Sequence, residues 1–223
     1  MGIPSSSSAR STIPPEYLRY IAANLTRAKE KVAFLVELAQ SGHDDEALLL
    51  CCCYIEGLGQ WFYPNEKSSW RCFVRVLREH SGNEFLGHVV PGFLVAALTD
   101  KDESSAKKRE LAVHLLEKFR GKEANLYAEP DFLKVASTSL NAPSIHLMKK
   151  ELWRGTVASG GYQYIRCTWV HGIFGGSAIV FPPMTYKGKS PPRLEFSVLH
   201  SALCRLVQKL TEICIAAGAD PVA

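Results

Sequence analysis

From Glu16 to about Gln40 the apolar residues Leu18, Ile21, Leu25, Ala28, Val32, Leu35 and Leu38 recur at intervals of three and four. That spacing lays a single apolar stripe along a long amphipathic helix, and Pro14 and Pro15 stand where a helix N-terminus tolerates proline. Ser41, Gly42 and His43 leave room only for a short connection before Asp44 and Asp45, which suit the first turn of a second helix reaching about Trp61. Two long helices joined so closely lie antiparallel. Neither can bury its stripe on the other alone, so the remaining chain has to supply more helices.

It does so in order. Trp70, Phe73, Val74 and Leu77, interleaved with Arg71, Arg75 and Arg78, predict a short helix with a basic stripe. Residues 84 to 98 are apolar around Pro91 and Gly92, which predicts two short helical pieces or a bent one. Helical spacing resumes from Lys107 to Arg120 and from Asp131 to Leu140, where Asn141, Ala142 and Pro143 form a break. Ser144 is placed to cap a helix through Trp153, and Gly160 and Gly161 separate it from a helix bearing Arg166 and His171. Glycines 172, 175 and 176, the β-prone run 178 to 181 and prolines 182, 183, 191 and 192 describe a long loop or small hairpin. A final amphipathic helix runs from Arg193 to Ala217.

The fold class is therefore all-α, a bundle of long antiparallel helices with an inserted helical segment at about 81 to 143 and a Gly/Pro-rich loop. Residues 1 to 15 hold five serines and three prolines and read as a flexible arm. Residues 16 to 223 make one domain.

Hydrophobic residues make up 47% and charged residues 22% of the 223 positions, and no apolar run is long enough for a bilayer, so no membrane partner is expected. The seven cysteines are odd in number, form no CxxC pair and follow no secretory signal pattern. They read as reduced thiols of a cytoplasmic protein, and Cys51, Cys52 and Cys53 point in different directions on a helix, so no metal and no cofactor is expected. Gly2 and Ser6 match a loose myristoylation pattern by chance, given Pro4 and the absence of a polybasic signal. Residues 183 to 190 approach a phosphate-binding loop, but Pro183 occupies the place of a required glycine. A net charge of +4 without a Lys/Arg tract leaves nucleic-acid contact to a few local cations.

The chemistry concentrates in Tyr164-Ile165-Arg166-Cys167-Thr168-Trp169-Val170-His171-Gly172. Arg166 is permanently cationic and offers a planar fork of donors suited to phosphate, while His171 exchanges a proton near neutral pH. The structural alternative is an arginine capping a helix end beside a hydrogen-bonded core histidine. The Arg-x4-His spacing, with its aromatic and aliphatic lead-in and small following residue, resembles the Arg-x4-6-His signature of the HEPN family, helical domains of which many are metal-independent ribonucleases.

The resemblance implies RNA as substrate, His171 as general acid or base, Arg166 on the phosphate, and homodimers whose motifs face each other across a cleft. In a toxin or defence setting it also implies an antitoxin or other protein partner. Family members often carry Asn, Asp or His after the arginine where this chain has Cys167, so a non-catalytic RNA- or nucleotide-binding module, or a protein-interaction module, is the second implication. On a straight α-helix five residues give a rotation of about 140° and a rise of about 7.5 Å, which sets Arg166 and His171 on different faces and also favours a site shared between two chains. Glu56, interrupting the apolar body of the second helix, is either a surface carboxylate or the partner that orients Arg166 or His171. Arg71, Arg75, Lys187 and Lys189 are the candidate RNA-binding cations, with ordinary solvated side chains as the alternative.

Overall fold

The computed structural model describes residues 13–100, 104–167 and 194–219, with 166 and 167 through their backbone alone. Residues 1–12 of the N-terminal arm, the expected loop or hairpin at 172 to 192, and His171, Lys187 and Lys189 lie outside the described residues; the end of the expected arm belongs to the fold, since Ile13 is buried and Pro15 begins the first helix. The architecture is all-α, and the described residues contain no strand.

Helix α1 (Pro15–Gln40) opens on proline, buries Leu18, Ile21, Ala22, Leu25 and Leu35, and ends before Gly42, whose φ of +86° turns the chain back. Helix α2 (Asp44–Phe62) follows with Asp44, Asp45 and Glu46 in its first turn, facing the positive end of the helix dipole. Helix α3 (Ser69–His80) is capped by Ser68, whose hydroxyl accepts from the Arg71 backbone N–H at 3.3 Å. The last helix, α9 (Phe196–Ala216), packs on both α1 and α2, and α3 lies against α2. Between them these helices bury the larger hydrophobic core.

A smaller core joins α4 (Pro91–Thr99), α5 (Ala106–Lys118), α6 (Glu129–Ala136) and α7 (Ala142–Glu151). At its centre Phe119 and Phe132 stack with ring centres 5.0 Å apart. The cluster reaches on to Met148 and Leu152, past the boundary at 143 expected for the inserted segment. An extended stretch at 88 to 90 ties the two cores together. Val89 and Tyr127 exchange backbone hydrogen bonds at 2.8 and 2.9 Å, Val90 N–H donates to the Gly155 carbonyl and Val157 N–H donates to the His88 carbonyl.

Three expected boundaries change. Helix α6 stops at Ala136, and Ser139 takes a positive φ of 74° in the turn that follows. Asn141 begins α7 instead of breaking a helix: its side chain accepts from the Ser144 N–H at 2.9 Å, and Pro143 sits in the first turn, where its missing N–H costs nothing. After a 3₁₀ turn (Leu152–Gly155), α8 (Val157–Gly160) passes straight into a π-helical segment (Gly161–Cys167), so Gly160 and Gly161 do not separate two helices. Gly161 is itself helical, with φ −55° and ψ −46°. These glycines serve close approach, since a Cβ on Gly160 would lie 2.4 Å from the Phe93 ring and one on Gly161 2.8 Å from Leu194.

Helices α2 and α3 meet in the same way at Gly59, where an added Cβ would lie 2.9 Å from the Cys72 carbonyl oxygen. Their C-terminal ends are fastened by Tyr63, whose hydroxyl donates to Glu79 at 2.8 Å and lies 3.0 Å from His80 Nε2, while His80 stacks on Phe62. Burial pushes the Tyr63 phenol above its usual range and the His80 imidazole below its own, so both groups are neutral at neutral pH. Two glycines of α2, two residues apart, therefore give opposite outcomes. Gly59→Ala pushes on α3 backbone and should cost about 1–3 kcal/mol. Gly57→Ala, where a Cβ meets nothing within 4 Å, should gain up to about 1 kcal/mol of helix propensity. Thermal melts of the two variants check this directly.

Candidate functional site

The stretch from Glu151 to Ile165 threads the junction of the two cores, and of its side chains only Trp153, Gln163 and Tyr164 are not buried. Small residues make that possible: Gly155, Thr156, Ala158, Ser159, Gly160 and Gly161 let neighbouring helices approach the backbone. Thr156 starts α8, its hydroxyl accepting from the Ser159 N–H at 3.2 Å. The π-helical segment that follows packs against α2 and α3. Its i→i+5 hydrogen bonding is rare and recurs at functional positions.

Arg166 belongs to this segment. Glu56 is half-buried on α2, one of the helices against which the segment packs, so the two residues lie on touching elements.

A cavity of about 270 Å³ opens beside the segment, lined by Trp70, Phe93, Arg154, Ser159, Gln163 and Tyr164 among others. Trp70 is held by its indole N–H, which donates to Ser159 Oγ at 3.2 Å, and its ring stacks on Tyr162 with centres 6.3 Å apart. The Arg154 guanidinium lies over the Trp70 ring at 4.7 Å. Only 3% of its side chain is exposed, and Glu151 pairs with it at 3.3 Å while accepting Lys108 at 3.4 Å on its other oxygen. The three charges sum to +1. Asp100 also lines the cavity and offsets that charge, so what the aromatic walls suit is a flat group.

Of the basic stripe on α3, Arg71 reaches this cluster, its guanidinium 5.5 Å from the Trp153 ring centre. Arg75 turns to Glu79 at 2.9 Å and covers the Tyr63 ring at 4.1 Å. Arg78 pairs with Glu129 at 2.6 Å, linking α3 to α6. Equal spacing in sequence thus leads to three different surroundings. Sequence reasoning missed Trp70, Glu151 and Arg154 as site residues; a Glu and an Arg three apart are common on solvated helices, and only Gly155 directly after Arg154 marks a buried position.

No family model matches the chain, and no curated protein or solved structure is significantly similar to it.

Breaking a buried pair from one side leaves charge uncompensated. Glu151→Gln removes the carboxylate between two cations and should destabilise the fold by about 3–5 kcal/mol. Arg154→Met keeps Lys108 as a partner for Glu151 and should cost less. Equal melting temperatures for the wild type and Glu151→Gln would show that charge compensation does not hold this junction.

Proposed function

We propose that this protein is a HEPN-like, metal-independent endoribonuclease that cleaves RNA by 2′-hydroxyl transesterification. The reading rests on the Arg-x4-His motif, and the observation that supports it is the position of Arg166: a π-helical segment, packed against the helix of Glu56 and bordered by an aromatic, cation-bearing cavity.

The nucleophile in this reaction is part of the substrate. The 2′-oxygen attacks the neighbouring phosphorus and gives its proton to a base, while the 5′-oxygen leaves and takes up a proton, so the products are a 2′,3′-cyclic phosphate and a 5′-hydroxyl. His171 moves protons, a contribution of roughly 10² to 10⁴-fold, and Arg166 holds the phosphate oxygens as their charge redistributes. Glu56 orients one of these two groups. Arg71 supplies a further cation at the cavity rim, and Lys187 and Lys189 contact the strand beside His171. The cavity receives a base next to the scissile phosphate, with Tyr164 as a stacking face. A homodimer, carried by the family resemblance, brings two copies of the motif to one cleft.

Cys167 favours a second reading, since it follows Arg166 where the family often has Asn, Asp or His. In that case the same site binds RNA or a nucleotide, or a protein partner, without cutting.

Incubating the purified protein with mixed RNA in EDTA should yield fragments ending in 2′,3′-cyclic phosphate, and Arg166→Ala and His171→Ala should each lower the rate by about 10² to 10⁴-fold. Absent cleavage, or cleavage that survives both substitutions, sinks the enzyme reading; RNA bound but uncut supports the second. For the dimer, light scattering at micromolar concentration should give twice the chain mass. Mixing Arg166→Ala with His171→Ala chains should restore part of the activity if one site draws on both subunits, and none if each chain works alone.

A further inference from the structure

A groove of about 390 Å³ opens between α1 and α2, lined also by Leu203 and Val207 of α9. It shares no lining residue with the cavity beside the π-helical segment. Here the apolar stripe of α1 loses its cover, since Ala28 and Val32 are only half-buried. The walls are aromatic. Tyr20 is 55% exposed and meets Trp61 edge-on at 6.1 Å, and Lys31 Nζ lies 5.0 Å from the centre of the Tyr54 ring. Arg27 also lines the groove and is exposed; among the described residues neither it nor Lys31 pairs with a carboxylate, and no acidic side chain lines the groove.

Gly57 lies in the same wall. Glycine is a poor choice inside a helix, because it loses the most backbone freedom on folding. At Gly59 a neighbouring helix accounts for it. At Gly57 packing among the described residues does not, for a Cβ there would meet none of them within 4 Å. What the missing side chain provides is a bare patch of helix backbone between Tyr54 and Trp61, facing open space and open to a flat ring.

We propose that this groove is a binding site for a nucleoside phosphate, with the base laid over Gly57 against the aromatic walls and the phosphate on Arg27 and Lys31. Stacking on aromatic side chains combined with unpaired cations is how proteins hold nucleotides without reading a sequence, and a few hundred Å³ suits such a ligand. The same chemistry is offered by a free nucleotide and by one residue of single-stranded RNA. The site is independent of the ribonuclease reading.

The experiment uses the full chain carrying Arg166→Ala, so that binding at the motif does not contribute. Titration calorimetry with adenosine 5′-monophosphate forms one arm, and fluorescence anisotropy with a labelled pentaadenylate forms the other. Binding is expected in at least one arm, weakened tenfold or more both by Gly57→Leu and by the double change Arg27→Glu, Lys31→Glu. Gly57→Leu should keep the helical circular dichroism of its parent and melt no lower, because the added side chain enters empty space and leucine favours the helix more than glycine. Binding of the mononucleotide identifies a free nucleotide as sufficient, and binding of the pentanucleotide alone identifies a strand; either supports the site. The proposal is overturned if neither probe binds, if binding is indifferent to both variants, or if Gly57→Leu changes the oligomeric state by light scattering without affecting either probe.

Discussion

The structure depends on how closely backbone can approach backbone along residues 155 to 161. An added Cβ would fall 2.7 Å from Leu94 at Gly155, 2.4 Å from Phe93 at Gly160 and 2.8 Å from Leu194 at Gly161. Each of these neighbours is buried. A protein interior at crystal-like density cannot open by a methyl group without losing contacts on both sides. The glycines thus let one ribbon of chain serve two cores at once: Val157, Ala158, Tyr162 and Ile165 face the larger cluster, and Met148 and Leu152 just before them face the smaller. Whatever Arg166 does, it does from the end of this ribbon, whose course is set by packing on both sides.

Burying the charged group beside the ribbon gains little over an apolar filling of the same volume. Lys108, Glu151 and Arg154 lose most of their hydration, with side chains 15%, 10% and 3% exposed. Attraction within such a group often fails to exceed the cost of desolvating it, and apolar residues of the same volume do as well or better. Stacking of Arg154 on Trp70 recovers part of that cost, because a guanidinium is weakly hydrated and planar. The net result is a fixed charge cluster next to a cavity that has aromatic walls and Asp100 in its lining.

How much of this is legible in the sequence follows from the range of each interaction. A stripe of apolar residues at intervals of three and four depends only on the geometry of one helix, so α1, α2, α3 and α5 are predicted nearly to the residue. The direction of the chain at Asn141 and at Gly160–Gly161 depends on what lies across from it. Asn141 is equally suited to ending a turn and to capping a helix, and only its bond to the Ser144 N–H decides. Glycine beside glycine reads as a break until Phe93 and Leu194 are seen to occupy the space of the missing side chains. The same holds for the candidate site. Arg166 is legible as part of a motif, whereas Arg71, Arg75 and Arg78 are alike in spacing and are told apart by Trp153, Glu79 and Glu129, which come from the 3₁₀ turn after α7, from α3 itself and from α6.

The case for a site shared between two chains changes once the helix type is known. Two reasons pointed to it: the resemblance, and a rotation of about 140° between residues five apart on a helix of 3.6 residues per turn. Arg166, however, lies in a segment of π-helical register, in which the hydrogen-bonding partner of a residue is five positions away rather than four. That wider turn places residues five apart nearer to one face, so the α-helical rotation does not apply at Arg166; the register is described as far as Cys167, and His171 lies outside the described residues. The dimer then stands on the resemblance alone. Arg166 is set by its position at the end of the buried ribbon, and a second subunit would bring a further copy of the motif to it by symmetry.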